Sequence, residues 1–212
     1  MTMLIEMKLD DFVAELASSS PAPGGGTIAA VTGSFAAGLA EMVCNLTIGN
    51  PKYADAQPFL PDVATKLKTI RLALLRLADE DTDAFHQLME AYRMPKETLE
   101  EREARSLSIE TAALWATKVP MKTAEYSAEI LELLPEVITY GNVNAISDCG
   151  VAMESAHTAG LGALMNVSIN LKTLKEKHRQ EMLNQEKELL ERRLGKAYKN
   201  VVGVFGLKWD KG

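Results

Sequence analysis

Cysteine and histidine are scarce in this chain, basic residues are in the minority, and stretches with strand character are nearly missing. Only two cysteines, Cys44 and Cys149, and three histidines, His86, His157 and His178, occur in 212 residues. Two cysteines so placed fit neither a disulfide framework nor a metal spacing, and beside ten methionines they suit a reducing interior. The histidines do not pair as metal ligands, and a helical di-metal site would need a pair of Glu-x-x-His elements, which the chain lacks. Lysine and arginine number 23 against 29 acidic residues, for a net charge of -6. That balance excludes nucleic acid as the main partner, since phosphate binding needs a basic face. The most apolar run, Thr27 to Ala40, is interrupted by Glu41, short of the roughly 18 to 20 residues of a membrane span. Met1 to Asp10 carries Glu6 and Asp10 and lacks the apolar centre of a signal peptide. A Gly-x-Ser-x-Gly elbow or a Cys-His element for nucleophilic catalysis is also missing. A soluble, cytoplasmic protein without a metal is the expectation.

What the chain does contain is helical periodicity. Apolar residues make up 47% and charged residues 25%, ordinary for one globular core, and no repeat or linker divides residues 1–212. The spacing predicts an all-α fold, an orthogonal or antiparallel bundle of roughly seven to nine helices. A first helix is expected over Leu9 to Leu16 and a second over Thr27 to Ile48. A long one, or two in line, follows over Leu60 to Met94, with Leu67, Ile70, Leu74, Leu77 and Phe85 on one stripe. Pro95 breaks that run. A charged start at Glu97 leads towards Lys118, Pro120 begins another helix ending near Gly141, Asn144 to Leu171 forms the next, and Leu174 to Val202 closes the chain. Two of these helices are nearly smooth. One carries Ala29, Ala30, Gly33, Ala36, Ala37, Gly38 and Ala40, the other Gly150, Ala152, Ala156, Ala159, Gly160, Gly162 and Ala163. Such surfaces suit very close packing, within one chain or against a second copy.

Three stretches could carry chemistry. Ser18 to Thr27 holds Pro21, Pro23 and the run Gly24-Gly25-Gly26. It matches neither a Walker motif nor a dinucleotide fingerprint. It could present free backbone N–H groups to an anion at a helix start, or simply make a tight entry turn. Asp79-Glu80-Asp81-Thr82-Asp83 sits inside an apolar helix. Asp79 and Asp83, four apart, repel each other, and the cluster is either a solvated acidic face or a place where a carboxyl stays protonated near neutral pH. Tyr140 to Asp148 offers Asn142, Asn144, Ser147 and Asp148, as helix caps or as ligands for a polar heterocycle, and Asn166 and Asn170 add amides in apolar surroundings. The terminal helix, with Lys175, Lys177, Arg179, Arg192 and Arg193, reads as solvated.

Taken in order, Pro21 to Gly26, Met42 to Gly49, Asp79 to Phe85, Ala91 to Lys96, Gly141 to Asp148 and Asn166 to Leu171 resemble the formiminotetrahydrofolate cyclodeaminase and methenyltetrahydrofolate cyclohydrolase family. The resemblance covers nearly the whole chain. It implies an all-helical homodimer that binds a tetrahydrofolate one-carbon derivative, with or without a polyglutamate tail, in a groove and without a metal or nucleotide cofactor. Where family members carry a fused formiminotransferase, this chain has no residues left for it. The family's proposed catalytic aspartate maps to Asp81 or its neighbour Asp79, with Asp81 favoured. By the same resemblance, the backbone of Gly24, Gly25 and Gly26, with Ser20 and Pro23 of the same loop, would meet the substrate. Asn142, Asn144, Ser147 and Asp148 would contact the pterin, and Lys52, Arg93 or Lys96 would pair with tail carboxylates. Cyclodeaminase is placed slightly ahead of cyclohydrolase, and one site could do either job. A non-catalytic folate-binding or scaffold dimer is the rival from another class.

Overall fold

Long stretches of alanine, leucine, glutamate and lysine drive nearly all of the chain into helix. The structure, a computed structural model, describes residues 4–210. Met1 to Met3, part of the N-terminal stretch considered above for a signal peptide, and residues 211–212 lie outside the described residues. The helices are α1 (Leu9–Leu16), α2 (Gly25–Asn45), α3 (Leu60–Arg93), α4 (Leu99–Tyr140), α5 (Ile146–Asn170) and α6 (Lys177–Trp209), with four short 3-10 turns between or before them. No strand occurs among the described residues, and the fold is all-α.

The central element is α2. Its small residues let α3 and α5 press against it from two sides, both antiparallel to it. Gly33 shows how closely they approach: a Cβ there would sit 3.2 Å from Leu74 Cδ1 of α3 and 3.4 Å from Ala159 Cβ of α5. Helix α2 is also 21 residues long, with a mean hydropathy of 1.5 in its most apolar window, so by length and composition it could cross a membrane. Its packing gives it a different role, because 56% of that window is buried inside the bundle. Val43 on α2, Leu60, Leu67 and Leu74 on α3, Ile130, Leu131 and Leu134 on α4, Val167 on α5 and Leu194 on α6 are fully buried in one apolar core. Cys44 and Cys149 lie in the same core as free thiols, and burial pushes both up to about 12.

One expected boundary is absent. Instead of starting a helix, Pro120 lies inside α4, which runs unbroken from Leu99 to Tyr140 and passes Pro135 as well. A proline in a helix interior removes one N–H and leaves the carbonyl four residues earlier without its helical partner. For Pro120 that carbonyl is Ala116, and the side-chain amide of Asn170 on α5 donates to it at 2.6 Å. Tertiary packing thus repairs what local sequence would break. Elsewhere the ends follow local chemistry: Thr98 and Glu101 form a reciprocal capping box at the start of α4.

Candidate active site

The entry to α2 lacks its own cap. The loop before it is closed by Ser20, whose hydroxyl donates to the Ala22 carbonyl at 2.6 Å, and the Ala22–Pro23 bond is cis. Gly24 then occupies the N-cap position with no side chain to offer, leaving the first N–H groups of the helix without internal partners. Asp81, projecting from the middle of α3, meets this open end. Its Oδ2 accepts from Thr27 Oγ1 at 3.0 Å. Thr82 Oγ1 lies 3.2 Å from the same Thr27 hydroxyl. A methyl group at Gly26 would overlap the Asp81 carboxyl. Glycine there is a requirement of close approach.

Burial raises the Asp81 carboxyl above its ordinary value, and hydrogen bonding from Thr27 only partly opposes that. Asp79 is displaced by about 200° around α3 and faces the N-terminal turn. Its Oδ1 accepts from the Leu4 N–H at 2.7 Å, and among the described residues its buried Oδ2 has no partner. Burial raises this carboxyl too, with the charges of Asp83 and Glu6 as lesser contributions. The repulsion inferred from the Asp79/Asp83 spacing is therefore secondary to desolvation. The two aspartates do different things: Asp79 holds the chain's N-terminal turn, and Asp81 faces a cavity.

That cavity, of about 240 Å³, is lined by the Pro21–Gly26 loop, by Asp81, Thr82, Phe85 and Leu88 of α3, by Ala116 of α4, and by Asn166, Ile169 and Asn170 of α5. No lysine or arginine is among its lining residues. Ala22 and Thr82 also border a second cleft, about 530 Å³, that contains Ser20, Pro23, Asp79, Asp83 and His86. Ser20, Pro23, Gly24, Gly25, Gly26 and the two aspartates are thus gathered at one end of α2.

Other expected residues are elsewhere. Lys52, Asn142, Asn144, Ser147 and Asp148 lie at the opposite end of α2, roughly 30 Å away by the length of that helix. Asn142 is engaged there in structure, receiving the Tyr53 hydroxyl at 2.9 Å and the Asn144 N–H at 3.0 Å, while its own N–H donates to Thr47 Oγ1 at 2.8 Å. Lys52 sits over the Tyr53 ring beside it. Within one chain these residues do not reach Asp81. Arg93 ends α3 on the flank that Thr82, His86 and Met89 mark at helical spacing, about 16 Å beyond Thr82, and Lys96 follows in the turn. Sequence reading gave no part to Thr27 or Ala116, and no specific role to Asn166 or Asn170. Only the last pair left a signal, as amides four apart in an apolar helix. Among the described residues no group of histidine, cysteine, aspartate and glutamate is placed to hold a metal ion.

Comparison with known proteins now bears on this geometry. A family model described as formiminotransferase-cyclodeaminase matches residues 8–189. The chain belongs to that family. Among formiminotransferase-cyclodeaminase relatives, a methenyltetrahydrofolate cyclohydrolase of Methylorubrum extorquens is 41% identical over 169 residues, spanning 80% of this chain and 81% of that protein. The formimidoyltransferase-cyclodeaminase of Mus musculus is 35% identical over 190 residues, and this chain spans only 35% of its length. A crystal structure of formiminotetrahydrofolate cyclodeaminase from Thermotoga maritima shares the fold, with a TM-score of 0.84 and 28% identity, covering 95% of this chain and 96% of that one. The cyclodeaminase/cyclohydrolase resemblance read from the sequence is the one these comparisons return.

Proposed function

We propose that residues 1–212 act as one folate one-carbon enzyme that opens or closes the 5,10-methenyltetrahydrofolate ring, with Asp81 as its proton-transfer group. The observation that carries this reading is a carboxyl raised by burial, pinned by Thr27 and facing a small cavity with no basic side chain in its lining. Such a group holds its proton more tightly than an ordinary carboxyl and, once ionised, can stabilise a neighbouring cation.

Two reactions fit the same atoms. In cyclodeamination, N10 of 5-formiminotetrahydrofolate attacks the formimino carbon and forms a tetrahedral amine. Asp81 donates the proton with which that nitrogen leaves as ammonia, and the carboxylate left behind faces the methenyl cation. In hydrolysis, water adds to the methenyl carbon while Asp81 takes its proton. The carbon–N5 bond then breaks, N5 receives that proton, and the hydroxyl proton leaves to solvent as the 10-formyl group forms. No residue of the site separates the two reactions. Likeness to a cyclohydrolase at 41% identity over four-fifths of both chains favours hydrolysis as the main reaction, with cyclodeamination as the second reading. Purified protein given each substrate decides between them by methenyl absorbance: loss of 5,10-methenyltetrahydrofolate above the spontaneous rate marks hydrolysis, and its growth from 5-formiminotetrahydrofolate with ammonia release marks cyclodeamination. No change in either cuvette would leave the non-catalytic folate-binding dimer standing.

The free N–H groups of Gly25 and Gly26 are offered to the substrate near its reacting end, with Ser20 and Pro23 bordering the adjoining cleft. Arg93, on the cavity's flank of α3, and Lys96 receive the carboxylates of a glutamate or polyglutamate tail. No metal or nucleotide is required by this proton transfer. A homodimer is part of the reading. Phe35 and Met42 on α2, Leu46 just past its end, and Val151, Met165 and Ile169 on α5 are exposed, and we read them as one outward apolar face on two adjacent helices, a kind of surface that marks an interface. In such a dimer Lys52, Asn142, Asn144, Ser147 and Asp148 would act on substrate only if supplied from the second copy. The setting we assign is the cytoplasm.

A further inference from the structure

Resting on the folate reading, we propose that Asn170 is a substrate-binding residue whose amide is set by Pro120. Pro120 leaves the Ala116 carbonyl without its helical N–H, and that oxygen only accepts hydrogen bonds. At 2.6 Å from it, Asn170 must turn Nδ2 towards Ala116, because Oδ1 at that distance would be repelled. Both Ala116 and Asn170 line the Asp81 cavity. Asn166, one turn earlier, is oriented in the same way by the Gly162 carbonyl, to which its Nδ2 donates at 2.9 Å, and its amide lies 3.4 Å from where a Cβ on Gly25 would stand. Both amides are therefore committed as donors to backbone, and both carry an Oδ1 that receives no hydrogen bond from the described residues. Neither oxygen is buried without a partner, so both stay accessible as acceptors.

Two oriented amide oxygens and one carboxyl give the cavity an acceptor-rich wall. It fits a ligand edge made of N–H groups, and the reduced pterin has such an edge in its 2-amino group and ring N–H groups. A carbonyl edge would meet the same oxygens unfavourably. Asn170 thus selects the orientation in which the pterin's N–H edge faces α5. A helix that needed only continuity would have no use for the proline, whereas a helix that must hold a neighbour's amide in one orientation gains from the carbonyl it exposes.

Because Asn170 also satisfies a backbone oxygen, Asn170→Ala alone could fail through misfolding. The decisive protein is the double variant Pro120→Ala/Asn170→Ala, in which the restored N–H of residue 120 bonds to Ala116 within α4 and removes the structural need for Asn170. Thermal unfolding and steady-state kinetics with 5,10-methenyltetrahydrofolate would be measured for wild type, both single variants and the double variant. We expect Asn170→Ala to lower Tm and raise KM about tenfold or more, the size of one lost hydrogen bond or somewhat above, with a smaller effect on kcat. The double variant is expected to recover Tm while KM stays high. Recovery of both Tm and KM would show that Asn170 serves the backbone only and would overturn the proposal. If wild type turns over neither this substrate nor 5-formiminotetrahydrofolate, the folate reading itself fails, an outcome distinct from loss of the Asn170 role.

Discussion

At the residue scale, Asp81 combines a carboxyl raised by burial with a place in the wall of a cavity. Its folded-state carboxyl is raised by burial, so the native state binds its proton more tightly than the unfolded chain does. Stability therefore falls as pH rises from the ordinary carboxyl value of 3.8 through the raised folded value, and above that the full cost of ionising a buried group is present. Asp81→Asn removes that cost. We expect the variant to unfold at higher temperature than wild type at pH 7–8, with the advantage vanishing below about pH 3.8, and to turn over about a hundredfold or more slowly. A variant destabilised at pH 8, or one with normal turnover, would contradict the assignment. Asp79 provides the contrast, since its partner is the Leu4 N–H. Asp79→Asn should keep turnover within about threefold of wild type. Asp79→Ala should quicken amide exchange at Leu4 without changing the kinetics of folate conversion.

At the element scale, the site is a meeting of helices more than a motif. The N-terminus of α2 meets a carboxylate from α3, and Gly26 permits the approach because any Cβ would collide with Asp81. Gly26→Ala should keep the far-ultraviolet helical signal, lower Tm by the few degrees that about 1–3 kcal/mol of overpacking implies, and reduce turnover at least tenfold by displacing Asp81. Unchanged kinetics would mean that the carboxyl need not stay beside Thr27. This scale also shows where sequence reading works and where it stops. Helix α1 occupies its expected residues, and α3 ends one residue before the expected limit, because periodicity and breakers are local signals. Pro120 was misread as a helix start, since its compensation comes from Asn170, 50 residues further along the chain. The glycine loop and Asp81 were both singled out from composition and resemblance, but Thr27, which joins them, sits in an ordinary helical position and gives no local sign of its role. Asn142 and Lys52 stand a helix length away from Asp81, a separation that the order of motifs along the chain does not reveal.

At the scale of the whole molecule, one face of the bundle is left apolar. Phe35 is 57% exposed, Met165 65% and Ile169 64%, and these residues recur on α2 and α5 where the two helices lie antiparallel. Ile169 belongs both to this face and to the lining of the Asp81 cavity, so a partner covering the face would also cover the cavity's rim and exclude water there. Phe35 lies away from that lining and offers a clean test. Light scattering after size-exclusion chromatography should give a dimeric mass for wild type and a monomeric one for Phe35→Glu, because a buried unpaired carboxylate at the centre of an apolar interface is strongly unfavourable. Turnover of the monomeric variant should fall although Asp81 is untouched, and it should recover in part at high protein concentration as association is restored by mass action. A wild-type protein that is monomeric at assay concentration and fully active would place the whole reaction within one chain. It would also leave the residues at the far end of α2 without a part in catalysis.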